Sequence, residues 1–421
     1  MARVVDVSEQ VRLQVPTTPS YDVISRKRRQ RNRGADAGLN KGDGWRRSGA
    51  DQRLLEWSTR LGVITVRQAA RYIYKGSHDY ARKRVRRMAQ AGLVKRLDTA
   101  PWAGTVVWPT TIGRQAATDE DSPLRVMETP ADSTLPHRLL VAEEALRLLA
   151  AGKTVITERE IRLYETVSGA NLDARDHFLA EAGVRRSIDG SPGVVPAVEH
   201  TEHGSVERWL TLPMPGVHTA FRIPDLLEVT DRGELRAIEV ETAQKSLSRM
   251  REILTGYRDA CLGHNMVPQD AGYDLPKAGA LRRQFLGVRW IATEPVLIQL
   301  RGHPGGVDPV TGKDDVGLVR EVWEESMNTH LFYKDKDTWA LSKKNWPLRA
   351  TALDVSHDPG LEYQLHQRVL PAKFRTSMQE WRVWRKVWEH EVTDDAEPVP
   401  FVQWLRAPGN LKRCREASRA L

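Results

Sequence analysis

Three carboxylates and a lysine lie in one short stretch whose other residues are mostly apolar. Asp225 precedes the apolar run "LLEV". Glu239 and Glu241 lie in the run "AIEVE", and Lys245 follows four residues after Glu241. Because side chains alternate along a strand, the two glutamates share a face, and a hairpin can bring Asp225 to it. Crowded carboxylates repel one another unless a cation or protons neutralise them.

These residue types suit a metal-dependent reaction on a phosphodiester. Oxygen ligands alone favour Mg²⁺ or Mn²⁺. Such an ion lowers the pKa of a bound water and stabilises the negative charge that develops on the phosphate. The candidate ligands are Asp225, Glu239, Glu241 and, on an earlier helix, Glu144, for whose place Glu143 competes. The alternative is structural: the apolar residues of the strand form its buried face, and the two glutamates point into water.

A second group of candidate residues lies in "SHDYARKRVRRMAQAGLV". Ser77 is a favoured helix N-cap and Gly92 a favoured helix stop, and the cations of the intervening helix crowd one face. Neutralisation of phosphates by Lys and Arg is the main source of DNA affinity. The predicted DNA-binding residues are Arg82, Lys83, Arg84, Arg86 and Arg87 of this helix, with Lys95 and Arg96 after it. The alternative is a solvated cationic face on a domain that mediates protein contacts.

Two short helices precede the cationic helix, and two strands follow it. "DQRLLEWSTRLG" and "TVRQAARYIY" have apolar residues at helical spacing, and Thr65 can cap the second. "LVKRLDTAPWAGTVVWPTTIG" is typical of two strands around a turn at Pro101–Gly104. Three helices and a hairpin in this order resemble the winged helix-turn-helix family over about seventy residues. The resemblance implies that the cationic helix enters the major groove of DNA while the hairpin lies along the backbone.

The carboxylates lie in a region with the order helix, strands bearing acids, helix, strand. "IPDLLEV", followed after a hairpin turn at Gly233 by "AIEVE", resembles the PD-(D/E)XK nuclease superfamily. With a helix "HRLLVAEEAL" that opens on a His, residues 50–295 resemble more narrowly the replication-relaxation family of plasmid- and phage-associated actinobacterial proteins. The superfamily resemblance implies that Asp225 and Glu239 bind a divalent cation. It also implies that Lys245, displaced from the usual lysine position at Glu241, activates or orients the attacking water.

The expected fold class is α+β with several domains, because 421 residues exceed one ordinary core. An N-terminal winged helix-turn-helix precedes a restriction-endonuclease-like (PD-(D/E)XK) α/β domain and a mostly helical C-terminal extension. The predicted segments are a disordered basic arm at 1–50, the winged helix-turn-helix at 51–118, a linker at 119–136, the nuclease-like domain at 137–300, and a Trp-rich, basic extension at 301–421.

The extension contains a tryptophan stripe in "SMQEWRVWRKVWEHE". Trp381, Trp384 and Trp388 recur on one helical face, which predicts packing against the second domain. The alternative is stacking on unpaired bases beside the cations Arg382, Arg385 and Lys386.

Tyrosine and histidine residues are weaker candidates for catalysis or metal binding. Tyr257 is disfavoured as a nucleophile, because a tyrosine at a helix end usually packs or caps. The histidines lack the spacing of a zinc motif and are predicted to be polar surface or loop residues: His137, His200, His203 and His218.

Composition sets the class of partner. The net charge of +9 favours a polyanion such as DNA. No apolar run approaches the roughly 18 residues of a spanning helix, so no membrane partner is expected. Cys261 and Cys414 are the only cysteines, which opposes a disulfide framework and is consistent with the cytoplasm. Replication or conjugation proteins are further expected partners, and the sequence leaves a homodimer open.

These observations predict a DNA-binding protein of a mobile genetic element, active in plasmid or phage replication or transfer. Its expected activity is metal-dependent cleavage or nicking of DNA at the acids around Asp225. The alternative is a non-catalytic accessory protein or transcriptional regulator whose second domain is a degenerate nuclease fold.

Overall fold

The computed structural model of the chain describes residues 46–100, 103–117, 124, 130–131, 133–166, 172–187, 193–201, 204–214, 221–262, 283–303, 306–308, 310–315, 317–322, 348–353, 358–392 and 401–419. The chain divides into two compact units, Met1–Gly44 and Trp45–Leu421, and the described residues all belong to the second. Most of the predicted arm and of the predicted linker lies outside the described residues. Within the described ranges, no helix is long and apolar enough to cross a bilayer.

The N-terminal region, residues 46–117, combines four helices with a small sheet. Its elements are α1 (Gly49–Leu61), β1 (Ile64–Thr65), α2 (Val66–Tyr72), α3 (His78–Gln90), β2 (Val94–Ala100), β3 (Gly104–Pro109) and α4 (Thr111–Ala117). The strands form an antiparallel sheet in the order β1-β3-β2. The structure confirms the three predicted helices and the predicted hairpin.

Side chains cap the first three helices and set where they begin. The caps are Ser48, Thr65 and Ser77, and each accepts a hydrogen bond from a backbone N–H in the first turn. In α1 and α2 the third helical residue also bonds back to the cap, so two backbone donors are satisfied at once. Gly92 follows α3 with φ of 71°, a conformation that favours glycine. The predicted caps of α2 and α3 and the predicted stop are therefore confirmed.

The central region, residues 133–353, contains a five-stranded mixed sheet. Its elements are α5 (Leu135–Ala150), β4 (Thr154–Thr157), α6 (Glu158–Ile161), a π-helical turn (Arg162–Thr166), α7 (Leu172–Glu181), β5 (Ala197–Thr201), β6 (Gly204–Arg208), β7 (Leu212–Pro213), β8 (Phe221–Arg222), β9 (Leu226–Val229), β10 (Leu235–Glu241), α8 (Leu247–Leu262), β11 (Gly287–Ala292), α9 (Glu294–Arg301) and β12 (Leu348–Ala352). The sheet order is β12-β11-β10-β9-β4. β10, β11 and β12 are parallel, whereas β9 runs antiparallel to both β10 and β4. The stretch before Gly204 contains α7 and β5.

The β9–β10 hairpin sets the register of the carboxylates. Gly233 has φ of 76°, and a Cβ added there would lie 2.7 Å from the Cβ of Arg185, so the turn requires glycine. Leu226 pairs with Ile238, the last paired positions before β10 extends beyond β9. The register therefore places Asp225 beside the extending end of β10.

Helices cover both faces of the central sheet. α8 packs on one face through Met250, Leu254 and Tyr257, in the same core as the β11 residue Trp290. The other face shares a core with α5, to which Leu139 contributes. Because neighbouring side chains on β10 alternate between these two cores, position along the strand decides which helix a residue faces.

α5 also joins the central sheet to the N-terminal region. Ala142 and Leu146 of α5 belong to the core of the N-terminal region. Conversely, Val106 and Trp108 of β3 belong to the core that α5 shares with the sheet. Shared buried contacts of this kind fix the two regions relative to one another.

The C-terminal region is helical and contains α10 (Pro359–Val369), a 3₁₀ turn (Ala372–Phe374), α11 (Met378–Val392), α12 (Phe401–Arg406) and α13 (Asn410–Arg419). Trp381 and Trp384 are buried in a core that includes Phe401 of α12 and Cys414 of α13. The predicted packing stripe is confirmed, but its partner is different, since among the described residues these tryptophans pack on neighbouring C-terminal helices and not on the second domain. Trp381 and Trp384 are too deeply buried to stack on bases.

Candidate functional site

Asp225 lies at the junction of the sheet and α5. Its Oδ2 accepts a hydrogen bond of 2.8 Å from the backbone N–H of Val240, and its Oδ1 lies 3.2 Å from Nε2 of His137. Although burial lowers the pKa of His137, the hydrogen bond and charge of Asp225 raise it above its ordinary value. His137 was predicted to be a surface or loop residue. It opens α5, as the helix "HRLLVAEEAL" predicts, and its partly exposed ring lies against the predicted catalytic acid Asp225.

Glu239 is buried on the α8 side of the sheet, with 1 % of its surface exposed. Arg222 of β8 donates to both of its oxygens, at 2.8 and 2.6 Å, in a bidentate ion pair. The hydroxyl of Tyr257 donates to the same carboxylate. Burial raises the pKa of Glu239, and the charge of Arg222 opposes that shift. The alternative in which this glutamate points into water is therefore wrong.

Tyr257 is also fully buried, which opposes a role as a nucleophile. Burial and the charge of Glu239 raise the pKa of the Tyr257 hydroxyl well above its ordinary value. A neutral hydroxyl that donates to a carboxylate is a structural donor.

Glu241 and Lys245 form an ion pair at the end of β10. Both side chains are partly buried. Burial, and then the neighbouring charge of Arg222, lower the pKa of Lys245 to about 8 despite this pair. Lys245 thus contacts one of the predicted acids, Glu241, and its role in catalysis stays a prediction.

Glu144 lies apart from the other three acids. It pairs with Arg147 of α5 and with Arg289 of β11. Arg289 lies between Val288 and Trp290, which both face α8, so alternation places Arg289 and its partner on the α5 side of the sheet. The predicted contribution of Glu144 to a common site is wrong, because the sheet separates it from Glu239. Its competitor Glu143 accepts a 2.5 Å hydrogen bond from Tyr72.

The carboxylates do not fit a divalent cation in this arrangement. Both oxygens of Asp225, both of Glu239 and one of Glu241 contact protein donors. Among the described residues, no three His, Cys, Asp or Glu side chains are grouped so that they could hold a metal ion. A divalent cation would have to compete with these donors for the oxygens, and it would lie beside the positive charge of Arg222. Metal binding therefore stays a prediction without geometric support.

The second candidate site is the α3 face, defined as Arg82, Lys83, Arg86 and Arg87. All four side chains are exposed. Arg82 lies 3.5 Å from Asp79, whereas the other three have no acidic partner in the described part of the chain. Their spacing along α3 places them on one side of the helix, opposite the buried residues Ala81, Val85 and Met88. The predicted cations of β2, Lys95 and Arg96, are likewise exposed.

Arg84 is the exception on α3. It forms an ion pair with Asp51, which is 0 % exposed and also accepts a 2.8 Å hydrogen bond from the Tyr74 hydroxyl. The hydrogen bond to Asp51 raises the pKa of Arg84. A guanidinium held in this way joins α3 to α1 and is not available to a phosphate, so Arg84 leaves the predicted DNA-binding set. Its spacing from Ala81 at i−3 already placed it at the edge of the buried face.

Sequence reasoning missed Arg222 and the contact of His137. The sequence around Arg222, "FRIPD", gives no periodic signal, because β8 has only two residues. The one available clue to His137 is its position in the first turn of the helix that the family resemblance singles out.

Comparison with known proteins is informative at the level of family. A family model described as replication-relaxation matches residues 55–273, just over half of the chain. The match extends from α1 beyond α8 and thus includes both the α3 face and the acids of β10. Neither the curated proteins nor the solved structures contain a significant match. The chain belongs to the replication-relaxation family.

Proposed function

We propose that this chain is a DNA-binding protein of a plasmid or phage, that it acts in replication through the α3 face, and that it binds DNA without cutting it. The observation that carries the proposal is the set of three exposed cations on α3 without acidic partners among the described residues. Exposed cations of this kind release condensed counterions when they meet phosphates, which is the main source of DNA affinity.

The elements around α3 support this proposal. The order α1-β1-α2-α3-β2-β3 is that of a winged helix-turn-helix, in which the third helix lies in the major groove. α3 has 13 residues and is therefore about 20 Å long. Its apolar side packs into the core of the N-terminal region, so the cations are presented from a rigid helix. Lys95 and Arg96 of the hairpin add positive charge that can contact the phosphate backbone of DNA next to the groove.

The competing function is metal-dependent cleavage at the acids of β10. One observation favours it, namely the contact between Lys245 and Glu241, since a lysine must reach the acids to activate water. The protein donors on Asp225 and Glu239 oppose it, because a metal would have to compete with them for the same oxygens and lie beside the Arg222 charge. We therefore place binding before cleavage.

The binding proposal is tested with a short DNA duplex and fluorescence anisotropy over a range of salt concentrations. Arg86→Ala/Arg87→Ala should weaken binding and reduce the slope of log affinity against log salt by about 0.9 for each phosphate that the variant no longer neutralises. The control, Arg232→Ala/Arg301→Ala, removes the same charge from exposed arginines without acidic partners among the described residues. An unchanged slope, or an equal loss in the control, would overturn the assignment to α3.

The absence of cutting is tested separately with supercoiled plasmid and either Mg²⁺ or Mn²⁺. We expect bound plasmid to stay supercoiled. Nicked or linear product that disappears in both Asp225→Ala and Glu239→Ala, compared at equal DNA binding, would replace this part of the proposal by the cleavage function.

A further inference from the structure

The charged residues at the end of β10 pair with one another and are here called the ionic cluster: Asp225, Glu239 and Glu241 with Arg222, Lys245 and His137. Arg222 holds Glu239, Lys245 holds Glu241, and His137 contacts Asp225. Each carboxylate therefore has a basic partner from the protein itself. The acids that the sequence marks as metal ligands therefore each contact a basic side chain of the protein.

We infer that the guanidinium of Arg222 takes the place of a divalent cation in the ionic cluster, which makes the cluster a metal-independent structural centre. A guanidinium presents a planar pair of donors that matches both oxygens of one carboxylate. The two distances between Arg222 and Glu239, 2.8 and 2.6 Å, have this bidentate geometry. Burial lowers the pKa of Arg222, but the charge and hydrogen bonds of Glu239 raise it above its ordinary value, and the charge of Asp225 makes a smaller contribution in the same direction.

Burial explains why this exchange of cations matters. Glu239 has 1 % of its surface exposed, and an unpaired carboxylate in that position would be strongly destabilising. Water cannot reach Glu239 to solvate its charge, so a cation of the protein or of a ligand must pair with it. With Arg222 in place, a divalent ion would have to break two charge-assisted hydrogen bonds and lie beside a like charge.

Arg222 is held from its backbone as well as from its side chain. β8 pairs with β7, with Arg222 opposite Leu212. The neighbouring Phe221 lies under the guanidinium of Arg208, at 4.7 Å from the ring centroid. Because these contacts hold β8 in place, they also fix the position from which the Arg222 side chain reaches Glu239.

A titration of the protein with Mn²⁺, followed by the loss of the free-ion electron paramagnetic resonance signal, tests the inference directly. We expect the unmodified protein to bind no stoichiometric Mn²⁺. Arg222→Ser should gain one Mn²⁺ per chain, since it exposes the carboxylates of Glu239 and Asp225 to an external cation. The matched variant Arg222→Ser/Asp225→Asn should lose that gained site.

Thermal unfolding gives a second and independent measurement. EDTA should leave the melting temperature of the unmodified protein unchanged. Arg222→Ser should melt at a lower temperature, and Mn²⁺ should raise it again, because an ion that binds only the folded state stabilises that state. Arg222→Lys keeps the charge and loses the planar fork, so it should melt at a lower temperature and still bind no Mn²⁺.

The outcomes separate clearly. One tightly bound Mn²⁺ in the unmodified protein that Asp225→Asn removes would overturn the inference. So would a folded Arg222→Ser protein that binds none. If Arg222→Ser does not fold, the titration of the unmodified protein still tests the inference. An absence of Mn²⁺ binding in that titration supports it. The ionic cluster is separate from the DNA-binding surface proposed on α3, so either assignment can fail while the other stands.

Discussion

The α3 face and the ionic cluster are both rich in charge, yet they differ in what their charges already contact. On the α3 face, Lys83, Arg86 and Arg87 are exposed and lack acidic partners among the described residues. In the ionic cluster, each acid has a basic partner, and Glu239 is buried. An exposed charge can stay solvated until a ligand arrives, whereas a buried charge must be paired within the fold. Density of charge in a sequence is therefore a poor guide to ligand binding until the partners are known.

The same contrast recurs within α3. Arg84 is held by buried Asp51, while Arg86 and Arg87 are exposed two and three residues later. One helix thus carries a structural arginine and two arginines suited to a ligand. Helical position, relative to the buried face, separates them.

The largest expected loss of stability comes from removing Asp51, the buried acid that holds Arg84 of α3. Asp51→Ala leaves Arg84 and the hydroxyl of Tyr74 without their acceptor, so we expect a loss of about 3–5 kcal/mol in the free energy of unfolding. Denaturant unfolding measures it. The control is Asp79→Ala, which removes an exposed acid of α3 itself and should cost less than about 1 kcal/mol. Equal midpoints for the two variants would contradict the distinction between paired and exposed charge.

The next effect concerns a buried acid that is satisfied mainly by backbone amides. Glu165 accepts from the N–H groups of Trp209 and Leu210, and burial raises its pKa to about 7. Between pH 4.5 and about 7 the unfolded chain releases a proton that the folded chain keeps, so the stability contributed at this position falls as the pH rises. The fall is at most about 1.4 kcal/mol per pH unit.

Glu165→Gln removes this titration. Denaturant unfolding at pH 4.5 and pH 7 should show the unmodified protein losing stability relative to the variant across that window. Parallel profiles for the two proteins would mean that the folded state leaves Glu165 with its ordinary affinity for protons.

A smaller effect tests the hydroxyl that supports the ionic cluster. Tyr257→Phe removes one donor from Glu239 while Arg222 remains, so we expect a loss of roughly 2 kcal/mol, as for hydrogen bonds to charged groups. The matched change Tyr363→Phe removes a bond to the backbone oxygen of Thr376 and should cost about 1 kcal/mol. Comparison of unfolding midpoints distinguishes them, and a larger loss at Tyr363 would go against a buried charge at Glu239.

The smallest expected effect is on the α3 face itself. Arg86→Ala/Arg87→Ala should change the free energy of unfolding by less than about 0.5 kcal/mol, because exposed side chains without partners contribute little. Unfolding midpoints measured on the same samples as the DNA titrations provide the check. A loss near that of Asp51→Ala would show that this face is structural and would remove the contrast.

Local sequence signals predicted much of the fold. Caps and stops at Thr65, Ser77 and Gly92, together with apolar spacing, predicted α2 and α3. The turn at Gly233 predicted the hairpin that brings Asp225 beside β10. These features depend on residues close in the chain, so sequence periodicity can reveal them.

Long-range partners were out of reach. The sequence grouped Glu144 with Glu239, but strand alternation on β11 put it on the opposite face of the sheet. It assigned the tryptophan stripe to the wrong neighbour, because a helical face shows that it is buried without showing against what. Arg222 lies on a strand too short to have a period.

By itself, the sequence determined the cationic helix, the acids on alternate positions of β10, the order of elements and the resemblance to the replication-relaxation family. Only the tertiary structure decided which of these charges are already paired. Pairing depends on side chains that meet from distant parts of the chain, as Arg84 meets Asp51 and Arg222 meets Glu239. Burial then fixes the outcome, because a charge removed from water must be neutralised where it lies, while an exposed one stays open to a partner.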